Sequence, residues 1–344
     1  MSERAATSLD TRLIDAGAPD DVAEAVRLLR AGRLVAVPTE TVYGLAGNAA
    51  DPAAVRAIFA AKGRPTDHPL IVHLADAAAM PRWARDIPAE AWTLADAFWP
   101  GPLTLLLHRH PDAPAEVAGG RATIGLRVPA HPVLRDILRA LDGGLAAPSA
   151  NPYQRLSPTT AAQVLAGLDG RIDAVLDGGA CTVGLESTIV DLSRGVPVIL
   201  RPGAIGADEI ARVLGRRPRL RGEAESAVEE GATPRVSGAL AAHYAPRTPL
   251  ELVGTDALAA QARPGDAVLA RCAAPASLAE GVAWAQAPAD PAGYGHDLYA
   301  RLRSLDESGA ARILVEAPPA SPDWAAVADR LGRAAVGSGE DDET

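Results

Sequence analysis

The stretch RLVAVPTETVYGL at 33–45 decides the fold. Its first half is apolar and β-branched, the composition of a buried strand. Its second half, with Thr39, Glu40, Thr41 and Tyr43, sets two hydroxyls, a carboxylate and a phenol directly after that strand. In an α/β sheet, polar groups at a strand end line the crevice where ligands bind, although an ordinary polar turn has the same composition. Just downstream, Asp51-Pro52 opens a helix, with Asp as N-cap and Pro at the first helical position. Val55, Ile58 and Phe59 form its apolar stripe and Gly63 stops it.

The same alternation continues outward. PLIVHLAD (69–76), LTLLLHRH (103–110), ATIGLRVP (122–129) and AVLDGG (174–179) are strand candidates, and TIVDLSRGVPVILRPG (188–203) is a hairpin turning at Ser193, Arg194 and Gly195. Helix-linked and hairpin-linked strands together predict a mixed α/β sheet. The segment RRPRLRGEAESAVEEGATPRVSG (216–238) is rich in charge, Gly and Pro without a sustained period, and reads as a linker. Beyond it, DAVLA and ARILVEAP are short strands, while HDLYARLRSLDE and DWAAVADRLGRAA are amphipathic helices, so a small second α/β domain is expected. GSGEDDET (337–344) reads as a frayed acidic tail.

Composition narrows the function classes. The chain has 344 residues, enough for two domains. It holds no apolar run of ~18 residues, so no membrane span is expected, and no apolar stretch follows the charges of the N-terminus, so no signal peptide is expected. Two cysteines, Cys181 and Cys272, are too few for a disulfide framework or a four-ligand zinc site, and a cytoplasmic setting is the expectation. A net charge of −10 disfavours a broad nucleic-acid face, so any positive site must be local. Lys62 is the only lysine in a chain whose other basic residues are arginines, and the two are not interchangeable where a compact point charge is wanted. The phosphate loop, the dinucleotide fingerprint and the zinc-protease helix motif are all absent.

Several polar clusters remain. Lys62-Gly63-Arg64-Pro65, followed by His68 and His73, sets two cations about a glycine where phosphate charge could be met. Lys62 could equally complement the helix dipole, and His73 could be a satisfied core histidine. Ser149 and Asn151 sit between Pro148 and Pro152, a rigid turn suited to holding phosphate oxygens or an adenine edge. Ser157 before Pro158 fits a plain helix N-cap. Arg127 lies in an otherwise apolar strand and needs a carboxylate from the protein or from a ligand, the structural ion pair being the simpler solution.

Taken together, PTETVYGL, KGRP, HPLIVHL, FWPGPLTLLL, TIGLRVP, APSAN, ESTIVDL and LRPG, in this order over about residues 20–206, closely resemble the YrdC-type threonylcarbamoyl-AMP synthase family. HYAPR (243–247) and ADRLGRAA (328–335) resemble its longer branch, although Asp329 replaces the family's Asn and only Ser237-Gly238 remains of the Ser-Pro-Gly before HYAPR. The resemblance implies a YrdC-like twisted mixed-sheet domain (18–206), an interdomain linker (207–249) and a small Rossmann-like α/β accessory domain (250–336). It implies condensation of L-threonine, bicarbonate or CO2, and ATP to threonylcarbamoyl-AMP and pyrophosphate, for modification of tRNA adenosine. Thr41, His73, Arg127, Ala147 and Ser187 would hold threonine, with Arg127 on its carboxylate. Arg64, His68, Thr123, Ser149, Asn151, Ser157, Arg201 and Tyr244 would hold ATP. Lys62 and Arg64 would act on the phosphates, with Mg2+ as the implied cofactor.

No residue has the setting of a covalent nucleophile, so positioning and electrostatics are expected to carry the reaction. The implied partners are the three substrates and a downstream threonylcarbamoyl transferase, with tRNA reached only indirectly and no membrane. Two alternatives have the same fold: an RNA-binding or regulatory module, which the acidic, aromatic-poor composition disfavours, and a carbamoyl-adenylate enzyme with another acceptor, which normally carries zinc fingers that two cysteines cannot supply.

Overall fold

A computed structural model describes residues 9–223, 234, 236, 238 and 240–339. Twelve strands form one mixed sheet. They are β1 (Arg12–Asp15), β2 (Val35–Val37), β3 (Gly44–Asn48), β4 (Ile71–His73), β5 (Ala84–Arg85) and β6 (Leu103–Arg109), then β7 (Thr123–Arg127), β8 (Leu145–Ala146), β9 (Ala174–Asp177), β10 (Thr188–Asp191), β11 (Val198–Arg201) and β12 (Arg219–Leu220). The spatial order is β1-β9-β2-β3-β8-β4-β7-β6-β10-β11-β12, with β5 on β6. Parallel pairs such as β4–β7 alternate with antiparallel pairs such as β6–β7 and β2–β3, as the mixture of helix and hairpin connections predicts. Pairing of β4 with β7 sets His73 beside Arg127 at the end of both strands.

Six helices clothe this sheet: α1 (Pro19–Arg30), α2 (Pro52–Lys62), α3 (Ala89–Phe98), α4 (Pro132–Leu141), α5 (Ala161–Leu168) and α6 (Ala207–Leu214). The helix α2 begins and ends as its sequence predicts. The Asp51 carboxylate accepts from the Ala53 amide, and Gly63 closes the helix at φ +66°, a conformation that costs glycine nothing. The hairpin from β10 to β11 turns at Ser193–Gly195, where Asp191 accepts from the Ser193 amide and hydroxyl and Gly195 takes φ +78°. Ser157, by contrast, caps no helix: α5 starts at Ala161 and Thr160 caps it, accepting from the Gln163 amide. The Ser157 hydroxyl is drawn away by a buried carboxylate, described below. The stretch read as linker begins inside the first sheet, with α6 packed on α3 and β12 paired to β11; 224–233 and the acidic tail from 340 lie outside the described residues.

A second sheet is fully parallel, in the order β13 (Leu250–Val253), β16 (Ile313–Glu316), β14 (Ala267–Ala270), β15 (Ala283–Gln286). Its connections include α7 (Thr255–Gln261) and α8 (Pro291–Asp306), and α9 (Ala325–Gly337) follows β16. Parallel strands need crossover connections, usually helical; that between β14 and β15 is a loop, and helices pack on the sheet from the others. No helix among the described residues is long and apolar enough to cross a membrane.

Candidate active site

The end of β2, the ends of β4, β7, β8 and β11, and the start of β10 meet on one side of the first sheet, and their flanking residues wall a cavity. All five residues assigned to threonine by the resemblance, Thr41, His73, Arg127, Ala147 and Ser187, line it. So do Ser149, Arg201 and Tyr244. A second cavity is lined by Arg64, His68, Tyr153, Arg221 and His243, and it adjoins the first at His243, which lines both.

Arg127 is 4% exposed and has the protein carboxylate that its apolar strand demands. Its Nη2 donates to Glu40 Oε1 at 2.6 Å and to Thr41 Oγ1 at 3.0 Å, while Nε donates to the Gly101 carbonyl at 3.2 Å. The other Glu40 oxygen accepts from the Ala130 amide. Thr39 stiffens this turn by donating to the Val42 carbonyl while accepting from the amides of Thr41 and Val42. His73 is buried beside Arg127, with Nδ1 lacking a hydrogen-bond partner among the described residues. Burial, then the Arg127 charge, push its pKa down to about 3, so the ring is neutral.

Lys62 ends α2 but does not point along its axis. Nζ donates to the carbonyls of Ser149 at 2.6 Å and Asn151 at 2.5 Å, tying the helix end to the proline-flanked turn. Burial and then Arg64 hold its pKa well below the usual lysine value. Arg64 is also buried and donates to the Pro69 carbonyl; desolvation lowers it to about 10. His68 meets the Tyr153 hydroxyl at 3.2 Å. Two further cations complete a positive interior: Arg201, whose Nε and Nη2 donate to the Ser187 carbonyl, and Arg330, from α9. An acidic chain thus concentrates positive charge in a low-dielectric interior, where it acts most strongly on an anion.

The Ser187 hydroxyl is buried between Thr104 Oγ1 at 2.7 Å and Arg201 Nη2 at 3.1 Å. Tyr244 is 1% exposed, takes φ +60°, and its hydroxyl has no hydrogen-bond partner among the described residues. His243 stacks edge-on against it at 4.0 Å between ring centroids. Asn151 lines neither cavity: its amide donates to the carbonyls of Pro152 and Arg155, holding the turn. Thr123 also lines neither, standing at the opposite end of β7 from Arg127 and paired with His108. Lys62 and Ser157 are likewise buried behind the cavity walls, on the carbonyls of Ser149 and Asn151 and on Glu186 respectively.

Sequence reasoning passed over Glu186, Tyr153, His243, Arg221, Tyr299 and Arg330 as site residues. Glu186 and Arg330 lie inside quoted motifs, ESTIVDL and ADRLGRAA, but 144 residues separate them, and no local pattern reveals such a pairing. Among the described residues no group of three or more His, Cys, Asp and Glu side chains is placed to hold a metal.

Comparison with known proteins places this architecture. Residues 27–203 match the family described as telomere recombination, which groups Sua5, YciO and YrdC. Residues 205–336 match the threonylcarbamoyl-AMP synthase C-terminal domain. Threonylcarbamoyl-AMP synthase of Pyrococcus abyssi is 43% identical over 225 residues, 64% of this chain and 64% of that protein. The Bacillus subtilis synthase is 42% identical over 232 residues, 67% of this chain and 66% of that protein. The chain thus aligns with just under two thirds of the length of these curated relatives. A crystal structure of P. abyssi Sua5 complexed with L-threonine superposes with a TM-score of 0.83 at 33% identity, covering 95% of this chain and 98% of that one.

Proposed function

We propose that this chain, which belongs to the Sua5–YciO–YrdC family, is a threonylcarbamoyl-AMP synthase. It condenses L-threonine, bicarbonate or CO2, and ATP, releasing pyrophosphate, and its product serves a downstream transferase that modifies tRNA adenosine. The observation that carries the reading is the first cavity, whose wall gathers Thr41, His73, Arg127, Ala147 and Ser187 from five separate segments beside a second, cationic cavity. Names of relatives and the threonine in the P. abyssi structure point the same way.

In this reading Arg127 binds the threonine carboxylate through the edge of its guanidinium not engaged by Glu40. Thr41, Ser187 and the Ala147 backbone fix the rest of the amino acid. Neutral His73 adds no second positive charge beside Arg127 and offers the amine a ring nitrogen as hydrogen-bond acceptor. The free amine nitrogen forms a bond to the CO2 carbon as one C–O π bond opens onto oxygen, and the N–H proton passes to water, giving a carbamate. A carbamate oxygen then attacks the α-phosphorus, and the bond to the β-phosphate oxygen breaks as pyrophosphate leaves. Arg64, Lys62, His68 and Arg201 meet the triphosphate, while Ser149 and Ser157 border the nucleotide. Asn151 supports the turn from behind, and Thr123, at the far end of β7, contacts the nucleotide only if the ligand extends past the second cavity. With the carboxylates of Glu40 and Glu186 committed to arginines, Mg2+ would be carried by the ATP itself and would supply charge neutralisation at the phosphates. The cytoplasm, where ATP and tRNA are available, is the setting.

Pyrophosphate release from ATP, with bicarbonate present and each amino acid offered in turn, tests this. Stimulation by L-threonine alone, abolished without bicarbonate, is expected. Release driven by another acceptor, or none in any condition, would overturn it.

A further inference from the structure

The reaction above gives the second domain no task, yet the core of that domain is built partly from loops of the site. Val42, Leu156 and Leu185 are buried in one apolar cluster with Leu298, Leu302 and Leu331 of α8 and α9. Each of the three immediately adjoins a polar residue of the site or its support: Thr41 and Glu186 line the first cavity, and Ser157 donates to Glu186 from beneath its wall. Gly184 presses so closely on the backbone of α8 that a Cβ there would sit 2.4 Å from the His296 carbonyl oxygen. Arg303 of α8 donates to the Leu156 carbonyl at 3.1 Å.

Polar contacts converge on one carboxylate. Glu186 Oε1 accepts from the Ser157 hydroxyl at 2.6 Å, and Oε2 accepts from Tyr299 Oη at 2.9 Å and from Arg330 Nε at 2.8 Å. One donor belongs to the first domain and two to the second. Arg330 is completely buried and its guanidinium also faces the Tyr244 ring at 5.2 Å, a cation–π distance. Its neighbours on α9 fasten the segment that carries Tyr244: Arg333 donates to the Leu240 carbonyl, and the His243 amide donates to the Arg333 carbonyl at 3.3 Å. Directly after Glu186 comes Ser187, whose carbonyl and hydroxyl both engage Arg201.

We propose that Arg330 and Tyr299 are positioning residues for the reaction: from the second domain they hold Glu186, and through it Ser157, Ser187 and Arg201, in the geometry adenylation requires. The proposal rests on the synthase reading above. An apolar contact would have joined the two domains as well as this one does. A buried carboxylate shared between them does something more, because undocking the second domain strips Glu186 of two of its three side-chain donors. The unmatched charge must then find water or another cation, and Arg201 is the cation at hand, so the Ser187 contact is lost as well. Site geometry is thereby made conditional on docking.

The test compares full-length wild type with Arg330→Lys, Arg330→Met and Tyr299→Phe. Two measurements are made: threonine-dependent pyrophosphate release, and amide hydrogen exchange of 183–188 and 155–159 without substrates. Expected for Arg330→Met is a fall in kcat of about 100-fold while KM for threonine stays within about threefold. Arg330→Lys should recover part of that loss, and Tyr299→Phe should show a smaller fall of the same kind. Exchange in the two loops should quicken about tenfold with strands β4 and β7 unchanged. A role confined to stability would lower the unfolding midpoint and leave kcat and loop exchange as in wild type, overturning the proposal. If Arg330→Met does not fold, Tyr299→Phe, which removes one hydroxyl, decides by the same two readouts. A wild type inactive with threonine would sink the synthase reading, and loop exchange would still judge the positioning role.

Discussion

Arg127, in the wall of the cavity that gathers the candidate threonine contacts, forms a buried ion pair with Glu40 behind it, 2.6 Å between Nη2 and Oε1. The pair resolves two demands that looked like alternatives in the sequence. The protein itself supplies the carboxylate that an arginine in an apolar strand needs, and the guanidinium is thereby fixed in orientation at the cavity wall. Removing one member of a buried pair leaves the other uncompensated, at a cost of about 3–5 kcal/mol. Glu40→Ala should therefore lower stability by that order when threonine is absent, and threonine, bringing its own carboxylate to Arg127, should restore more of it than it adds to wild type. Unfolding midpoints with and without threonine measure both quantities; an equal threonine increment in the two proteins would show that Arg127 does not meet the substrate carboxylate.

Lys62 joins the end of α2 to the turn that carries Ser149 and Asn151, by donating to both of their carbonyls. Arginine is a poor substitute, since its planar fork is longer and bulkier than the compact ammonium that fits between these two carbonyls. Both Lys62→Met and Lys62→Arg should depress turnover by about 100-fold or more, the order of loss seen when a preorganised electrostatic group is removed. Steady-state pyrophosphate release measures this. Near-wild-type turnover in Lys62→Arg would mean that positive charge alone matters, and the tie to the turn would lose its role.

Local chemistry made much of this fold legible. Asp51-Pro52 and Gly63 bracket α2 because capping and the left-handed stop are decided within a few residues, and the hairpin at 193–195 is equally local. Ser157 went astray because a serine before proline has cap chemistry, whereas the distant Glu186 claims its hydroxyl. Pairing of β4 with β7, which brings His73 to Arg127, depends on sheet order, and sheet order is a property of the whole chain. The same holds for Glu186 with Arg330. Resemblance supplied the candidate ligands, while the charges that hold those ligands in place had no signature short of the folded molecule.

His73 gives a pH dependence of definite sign. Its folded pKa of about 3 lies below the ordinary 6.5, so the unfolded chain binds the proton more readily between those values. Stability from this group is complete above about pH 6.5 and is lost progressively as pH falls toward 3, at up to about 1.4 kcal/mol per unit. His243 is depressed in the same direction by burial and the surrounding arginines and Lys62, so the two add. Denaturant unfolding at pH 7 and pH 4.5 should show a marked loss in wild type, and His73→Gln should lose less over the same interval. An identical drop in both proteins would assign the acid sensitivity elsewhere.

Tyr244 lines the first cavity in a backbone conformation that a tyrosine rarely adopts, φ +60°, with a fully buried hydroxyl facing Gly238. A Cβ built on Gly238 would lie 2.1 Å from that hydroxyl oxygen, and Gly238 itself takes φ +75°. Only glycine accommodates both constraints, so the two residues must settle together. Holding a side chain in such a conformation costs of order 1–3 kcal/mol, offset here by burial and by the Arg330 guanidinium over its ring. If the chain is the synthase proposed above, a cover held this way would exclude water from a mixed anhydride that water hydrolyses. Tyr244→Ala should thus release more pyrophosphate per threonylcarbamoyl-AMP recovered than wild type does, and Gly238→Ala should reproduce the change by displacing the ring without altering it. Both ratios are read by quantifying pyrophosphate and intermediate in one reaction mixture. A raised ratio in Tyr244→Ala with a normal one in Gly238→Ala would separate the phenol from its placement, while normal ratios in both would remove the shielding role from this segment.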